Sequence, residues 1–136
     1  MRWYNKEIEI RYADTDRMGV IHHGVYPLYC EVGRTWYCEA VGIPYAQMEQ
    51  SGIYLMVADM QCRFKAPATY GDSIYIKTAI STLKKRVVVF VYEIWNRNTQ
   101  TLLFTGSSKL VVANNHYSVV SMPLWIYEKL AEGMKI

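Results

Sequence analysis

The order of apolar and polar positions predicts one long helix in the first third of the chain. From Tyr29 onward, apolar and small residues recur at spacings of three and four, at Val32, Gly33, Trp36, Tyr37 and Ala40. This spacing is typical of a helix that buries one face. Pro27 fits the first helical position, where its missing N–H has no partner to lose. The pattern therefore predicts a helix that begins at Pro27 and ends near Gly42.

Alternating and β-rich runs predict five strands. Lys6 to Tyr12 has the period of two that is typical of a half-buried strand. Four longer runs follow a predicted short helix at residues 45–50, and they cover residues 54–65, 73–83, 87–95 and 101–113. Short turns between these four runs favour an antiparallel meander. The tail from Pro123 to Met134 has helical spacing, and we expect it to pack loosely on the domain.

This element order predicts an α+β domain in which one sheet has one helix to cover it. The sheet should therefore curl around the helix, whose small residues Gly33 and Ala40 permit close approach. The unpaired sheet edges and an aromatic-rich outer face would remain exposed in a monomer. Self-association is the expected way to cover them.

Length and composition place the chain among globular proteins. It has 136 residues, 51% apolar and 20% charged, which suits a single domain over residues 1–136 with a substantial core. The longest uncharged apolar stretch, Val87 to Tyr92, is far below the roughly 20 residues of a membrane span, and no leader pattern is present. We therefore expect a cytoplasmic protein. Three cysteines without CxxC spacing predict neither disulfides nor a zinc site.

The charge pattern argues against a nucleic-acid partner. The net charge is only +3, and the one dense basic cluster, Lys84-Lys85-Arg86, has no interleaved aromatic residues. Such a cluster can bind phosphates of a small ligand or form a solvated turn. The residues alone favour the solvated turn.

The residues with the most chemistry lie immediately before the long helix. Two aspartates, Asp14 and Asp16, and two histidines, His22 and His23, precede a helix end whose free N–H groups carry the positive end of the dipole. Such an end can polarise a carbonyl or hold an oxyanion. The aspartates can also be turn or capping residues. A metal site from these four side chains is less favoured, because adjacent histidines usually point apart and such a ligand set is unselective.

Two segments together resemble a known family. The first is Asp14-Thr15-Asp16 with Gly19, His23, Tyr26 and Glu31, and the second is RFKAPATYGD with Phe64, Pro67 and Asp72. They resemble the hotdog-fold acyl-CoA thioesterases of the 4-hydroxybenzoyl-CoA thioesterase type, in the subgroup with the pattern DTDxxGxxxHxxY. The resemblance covers roughly Ile8 to Val112, and both segments occur in the expected structural context.

The resemblance implies a hotdog fold, in which an antiparallel five-stranded sheet curls around one long central helix. It also implies homodimers or homotetramers joined edge to edge, with active sites near the dimer interface. The expected reaction is hydrolysis of an acyl-CoA thioester to the free acid and CoA, with neither a cofactor nor a metal.

Site residues carry over position by position. Asp16 takes the catalytic aspartate position, His23 the histidine position, and Glu31 an acidic position on the helix that is a third catalytic candidate. The alternative for Glu31 is a simple pairing with Arg34 or with the helix dipole. Gly24 and Tyr26 are expected to bind substrate. Lys84, Lys85 and Arg86 are expected to contact the CoA phosphates, as a basic loop does in some relatives. Val25 stands where relatives have asparagine, which removes an amide contact, and the resemblance gives His22 no role.

The chemistry of these residues agrees with thioester hydrolysis. An aspartate is ionised at neutral pH, so Asp16 can attack the thioester or activate water. Helix-end amides can stabilise the oxyanion, and His23 can donate to the carbonyl. Two alternatives remain open: a hotdog dehydratase or hydratase, and a non-catalytic module that binds acyl-CoA or an acyl carrier.

Overall fold

A five-stranded antiparallel sheet curls around a long helix in the computed structural model, which describes residues 1–136. The strands are β1 (Tyr4–Ile8), β2 (Tyr54–Phe64), β3 (Ile74–Leu83), β4 (Val87–Asn96) and β5 (Thr101–Ala113). The helices are α1 (Tyr26–Ala40), α2 (Tyr45–Gln50) and α3 (Leu124–Gly133). Two 3₁₀ turns, Tyr12–Asp14 and His23–Val25, flank the loop that precedes α1. The predicted hotdog architecture is confirmed.

The strand order, β1-β3-β4-β5-β2, differs from a simple meander. β3, β4 and β5 pair consecutively as predicted, but β2 pairs with β5, from Tyr54 opposite Ala113 to Phe64 opposite Phe104. The predicted four-strand meander is therefore wrong at β2. Residues 65–73 carry the chain past β5 and β4 to β3, about 14 Å away at about 4.8 Å per strand, which nine residues span easily.

The first strand ends earlier than its alternating pattern predicted. β1 covers Tyr4–Ile8, whereas the pattern predicted Lys6 to Tyr12. The Asp14 N–H donates to the Arg11 carbonyl at 2.9 Å, and the Asp14 carboxylate accepts the Arg11 N–H at 3.0 Å. These local bonds close a turn and end the extended chain.

α1 lies in the concave face of the sheet and packs against β1 and β3. A Cβ added at Gly33 would overlap the Thr78 hydroxyl and press on Ile76. The face of α1 that carries Cys30, Tyr37 and Cys38 is fully buried. The predicted close approach is confirmed at Gly33, in the middle of α1. Val32 and Ala40 are exposed, so the predicted apolar face is wrong at those two positions.

The C-terminal helix packs more tightly than predicted. Ile126 and Leu130 of α3 are completely buried, so the expectation of loose packing is wrong. The Tyr4 hydroxyl also donates to the Gly133 carbonyl at 2.8 Å, which joins α3 to the first strand. The predicted helix is confirmed, and Ile126 and Leu130 face the core, whereas Leu124 keeps 69% of its surface exposed.

β2 forms one edge of the sheet and is largely exposed. Val57 and Phe64 retain 49% and 54% of their surface, although both are apolar. A long exposed edge strand with apolar side chains is a natural surface for self-pairing. No helix of the structure has the length and apolar character needed to cross a bilayer.

Candidate active site

Asp16 lies at the base of a tight loop between the first 3₁₀ turn and the entry to α1. Its N–H donates to the Val20 carbonyl at 2.8 Å, and its carbonyl accepts from the Gly19 N–H at 2.9 Å. Gly19 has a φ of 80°, which favours glycine at this turn. Thr15 and Ile21 form an isolated antiparallel bridge below it. These bonds hold the Asp16 backbone in one place.

The two oxygens of the Asp16 carboxylate have different environments. Oδ1 accepts from the Met18 N–H at 2.8 Å and more weakly from the Val20 N–H at 3.4 Å. No protein donor lies within hydrogen-bond distance of Oδ2. Asp16 therefore does form a turn, as the alternative interpretation held, and it keeps one oxygen available for chemistry.

Asp16 lines a cavity of about 360 Å³ that both sequence segments build. The lining residues are Asp16, Val20, Ile21, His23, Tyr26, Phe64, Lys65, Ala66 and Pro67. Three predicted site residues, Asp16, His23 and Tyr26, thus meet in one place. Phe64 and Pro67 also line the cavity, although the sequence predicted no site role for them. Their place in the second segment was the only sequence feature that could have indicated it.

Backbone pairing joins the second segment to the aspartate loop. The Ile21 N–H donates to the Ala68 carbonyl at 2.9 Å, and Val20 bridges to Thr69. Asp72 accepts from the Thr69 N–H at 2.9 Å and so fixes the turn that follows Pro67. The two segments are therefore one structural unit.

Aromatic rings form the floor of the cavity. Tyr26 stacks on Phe104 with ring centroids 5.0 Å apart, and it meets Phe64 edge-on at 5.5 Å. Burial raises the pKa of the Tyr26 phenol, so the phenol stays neutral at neutral pH. The His23 ring meets Phe64 edge-on at 6.4 Å and stacks on His22 at 4.2 Å. Of these rings, Tyr26 and Phe64 line the cavity and give it an apolar side.

His22 has a structural role that the sequence did not reveal. Its Nδ1 accepts a hydrogen bond from the Gly24 N–H at 2.9 Å. The Gly24 amide, one of the predicted carbonyl donors, is thus engaged within the protein. A substrate carbonyl that uses this amide must displace the His22 imidazole.

Glu31 does not line the cavity that contains Asp16. Its carboxylate is exposed and lies 3.7 Å from the Arg34 guanidinium, which is buried and contacts the Tyr92 hydroxyl at 3.5 Å. This is the pairing with Arg34 that the sequence allowed as an alternative. The catalytic role of Glu31 stays a prediction.

Lys84, Lys85 and Arg86 form the hairpin between β3 and β4, at the sheet end opposite Asp16. β3 begins at Ile74, just after the segment that lines the site, and its ten residues end at Leu83 beside the hairpin. Ten residues of strand span about 33 Å. Within one protomer the basic residues and Asp16 are therefore far apart.

The fold and the cavity together define a hotdog protein with a fixed carboxylate and an imidazole at the entry to its long helix. The structure gathers no group of three His, Cys, Asp or Glu side chains in a metal-binding arrangement. The sequence profile of the thioesterase-like superfamily matches residues 10–130, and the chain belongs to that superfamily.

Individual proteins agree with this assignment. YneP of Bacillus subtilis, named as a candidate acyl-CoA thioesterase, is 33% identical over 130 residues, 91% of this chain and 94% of YneP. The crystal structure of DHNA-CoA thioesterase from Staphylococcus aureus is 34% identical, with a TM-score of 0.89 and coverage of 100% and 97%.

A third comparison supports the fold alone. The crystal structure of a 4-hydroxybenzoyl-CoA thioesterase variant, in complex with 4-hydroxybenzoyl-CoA, is 18% identical. Its TM-score is 0.86, and the match covers 96% of this chain and 99% of that one. The predicted family, fold and thioester hydrolase class are confirmed.

Proposed function

We propose that the chain hydrolyses acyl-CoA thioesters and that Asp16 supplies the reacting carboxylate. The observation that carries this proposal is the asymmetry of Asp16: backbone amides hold Oδ1, while Oδ2 has no protein donor in a cavity shared with His23. A carboxylate fixed by one oxygen keeps the other oriented for reaction. CoA is the proposed carrier because YneP and DHNA-CoA thioesterase are named for CoA thioesters.

Two routes are consistent with this carboxylate. As a nucleophile, Oδ2 attacks the thioester carbon, CoA leaves as the thiolate, and water then hydrolyses the mixed anhydride. As a general base, the carboxylate takes a proton from water, which attacks the same carbon directly. Both routes consume one water and yield a carboxylic acid and CoA. A single turnover in ¹⁸O-water can separate the two routes. If water attacks the Asp16 carbon of the mixed anhydride, the nucleophilic route places the label in the Asp16 carboxylate, whereas the general-base route places it in the acid product.

Carbonyl polarisation is proposed to come from His23 and the entry to α1. The His23 ring lines the cavity and offers an N–H donor. The Gly24 amide is a second donor once the carbonyl displaces His22 Nδ1. Tyr26 and Phe64 provide the apolar surface on which the acyl group packs.

A homodimer completes the proposed site. If two copies pair antiparallel along their exposed β2 edges, the Phe64 end of one strand lies beside the Tyr54 end of the other. The hairpin of Lys84 to Arg86 lies toward the Tyr54 end of the sheet. Pairing therefore brings the partner's basic hairpin toward the Asp16 site, which the hairpin of the same protomer cannot reach. The proposal assigns the CoA phosphates to this hairpin in trans, in a homodimer or a dimer of dimers.

A panel of acyl-CoA thioesters tests the activity directly. The proposal expects release of free CoA, read with a thiol reagent, for at least one aromatic, short or long acyl group. Enoyl absorbance changes without CoA release would instead indicate a dehydratase or hydratase. Binding without either signal would indicate a non-catalytic module.

A further inference from the structure

Asp14, the first aspartate of the loop, has no free oxygen for catalysis. Its carboxylate is buried, with 3% of the side-chain surface exposed. Oδ1 accepts from the Arg11 Nε at 3.1 Å and from the terminal Arg11 nitrogen at 2.9 Å. Oδ2 accepts from the Arg11 backbone N–H at 3.0 Å and from the Tyr29 hydroxyl at 2.9 Å. Each oxygen therefore already accepts two hydrogen bonds, and neither is free to react with a substrate.

These bonds connect three parts of the site. Arg11 belongs to the chain that follows β1, while Tyr29 lies on the first turn of α1 and is buried. The Asp14 carbonyl accepts from the N–H of His22 at 2.8 Å, and His22 directly precedes His23, which lines the cavity. Asp14 thus ties both ends of the loop that carries Asp16 to the helix that carries the entry amides.

We infer that Asp14 is a positioning residue, which acts with Arg11 and Tyr29 to hold the Asp16 carboxylate in its reactive arrangement. This inference rests on the proposed role of Asp16. A carboxylate two residues from the reacting group, anchored at four points, fixes the loop more tightly than the exposed turn at Met18 does alone. Small displacements of a reacting group cost large factors in rate.

The Tyr29→Phe variant tests the inference because it removes one hydrogen bond and keeps the buried ring. Tyr37→Phe is the matched control, since Tyr37 lies on the same helix and its buried hydroxyl has no hydrogen-bond partner. We expect Tyr29→Phe to lower kcat by about tenfold and to leave KM within about twofold. Hydrogen exchange of residues 14–22 should rise in Tyr29→Phe. Tyr37→Phe should change neither quantity.

A double variant separates positioning from general destabilisation. If Tyr29 acts through Asp16, adding Tyr29→Phe to Asp16→Asn should lower kcat by less than about twofold further. The positioning role would be overturned if Tyr29→Phe lowered kcat by the same factor in the wild type and in Asp16→Asn. It would also be overturned if Tyr29→Phe kept its kcat while Asp16→Asn was inactive. Neither result would affect the proposed role of Asp16. Parental activity in Asp16→Asn would instead overturn the proposed role of Asp16.

Discussion

Asp16 forms a turn in the structure and is proposed to react with the thioester, two tasks that the sequence presented as alternatives. One oxygen caps the loop through the Met18 amide, the other has no protein donor, and the residue lines the cavity. The capping bond orients the carboxylate, so the structural role supports the chemical one. Removal of the charge therefore separates the two tasks.

The Asp16→Asn variant should fold normally and lose its activity. Asparagine Oδ1 can still accept from the Met18 and Val20 amides, but the neutral side chain can neither attack nor serve as a base. We expect kcat to fall by at least about a hundredfold. Asp72→Asn, the same change at a loop carboxylate outside the cavity, should keep near-parental kcat. Similar rates in both variants would contradict the assignment.

Asp14 should make stability depend on pH through its pair with Arg11. Burial alone would raise the Asp14 pKa, but hydrogen bonds from the Arg11 backbone, the Arg11 side chain and Tyr29 outweigh it and lower the pKa below the ordinary 3.8. A lowered folded-state pKa contributes stability that is present above the unfolded pKa. That contribution is lost as pH falls through the folded value.

The comparison of wild type with Arg11→Gln isolates this effect, because both proteins keep every other carboxylate. Glu7 and Glu9, which line the same groove as Asp14, are retained in each. The difference in free energy of unfolding should be constant above about pH 5 and should shrink below about pH 4. Urea titrations at several pH values measure it. If the difference in free energy of unfolding grew as the pH fell, the predicted direction of the effect would be wrong.

At the scale of elements, periodicity predicted where helices and strands lie, and local hydrogen bonds decided where they end. The bounds of α1, α2, β4 and β5 agree with the sequence within one or two residues. β1 ends early because the Arg11–Asp14 turn overrides the alternation. The place of β2 beside β5 depends on long-range pairing, which no local pattern encodes.

The same limit applied to the site. The two segments were visible in the sequence, but their junction through Ile21 and Ala68 was not. Side-chain chemistry alone also failed to reveal that His22 engages the Gly24 amide, because that bond depends on the geometry of the 3₁₀ turn. The chain order gave no sign that the basic hairpin lies at the far end of the sheet from Asp16.

The contact between α1 and β3 should be sensitive to one methyl group. Gly33→Ala adds a Cβ against Thr78 and Ile76, although alanine is the better helix former. We expect a net loss of about 2 kcal/mol in free energy of unfolding. Glu39→Ala, at an exposed position of the same helix, should change stability by less than about 0.5 kcal/mol. Chemical denaturation of both variants provides the comparison, and a stabilised Gly33→Ala would contradict the close approach.

At the scale of the whole molecule, the basic hairpin should act on CoA rather than on the acyl group. Replacement of Lys84, Lys85 and Arg86 by alanine should raise KM strongly and change kcat little, because these residues would hold phosphates away from the reacting bond. The parental KM should also rise with salt, since exposed charge contacts are screened. The variant should lose most of that salt dependence. An unchanged KM would indicate that the hairpin is only a solvated turn.

If Asp16 of one protomer hydrolyses a thioester whose CoA is held by the partner, a dimer of two different inactive chains should regain activity. Differently tagged Asp16→Asn and Lys84/Lys85/Arg86→Ala chains are coexpressed, and the mixed dimer is purified through both tags. Light scattering first verifies that it is not a monomer.

In the mixed dimer, one site combines an intact Asp16 with an intact hairpin from the other chain, while the second site lacks both. We expect about half of the wild-type kcat at the wild-type KM, because one of two equivalent sites is restored. Each parent variant alone should remain impaired. A mixed dimer with no more activity at low substrate than the average of its two parents would contradict the account.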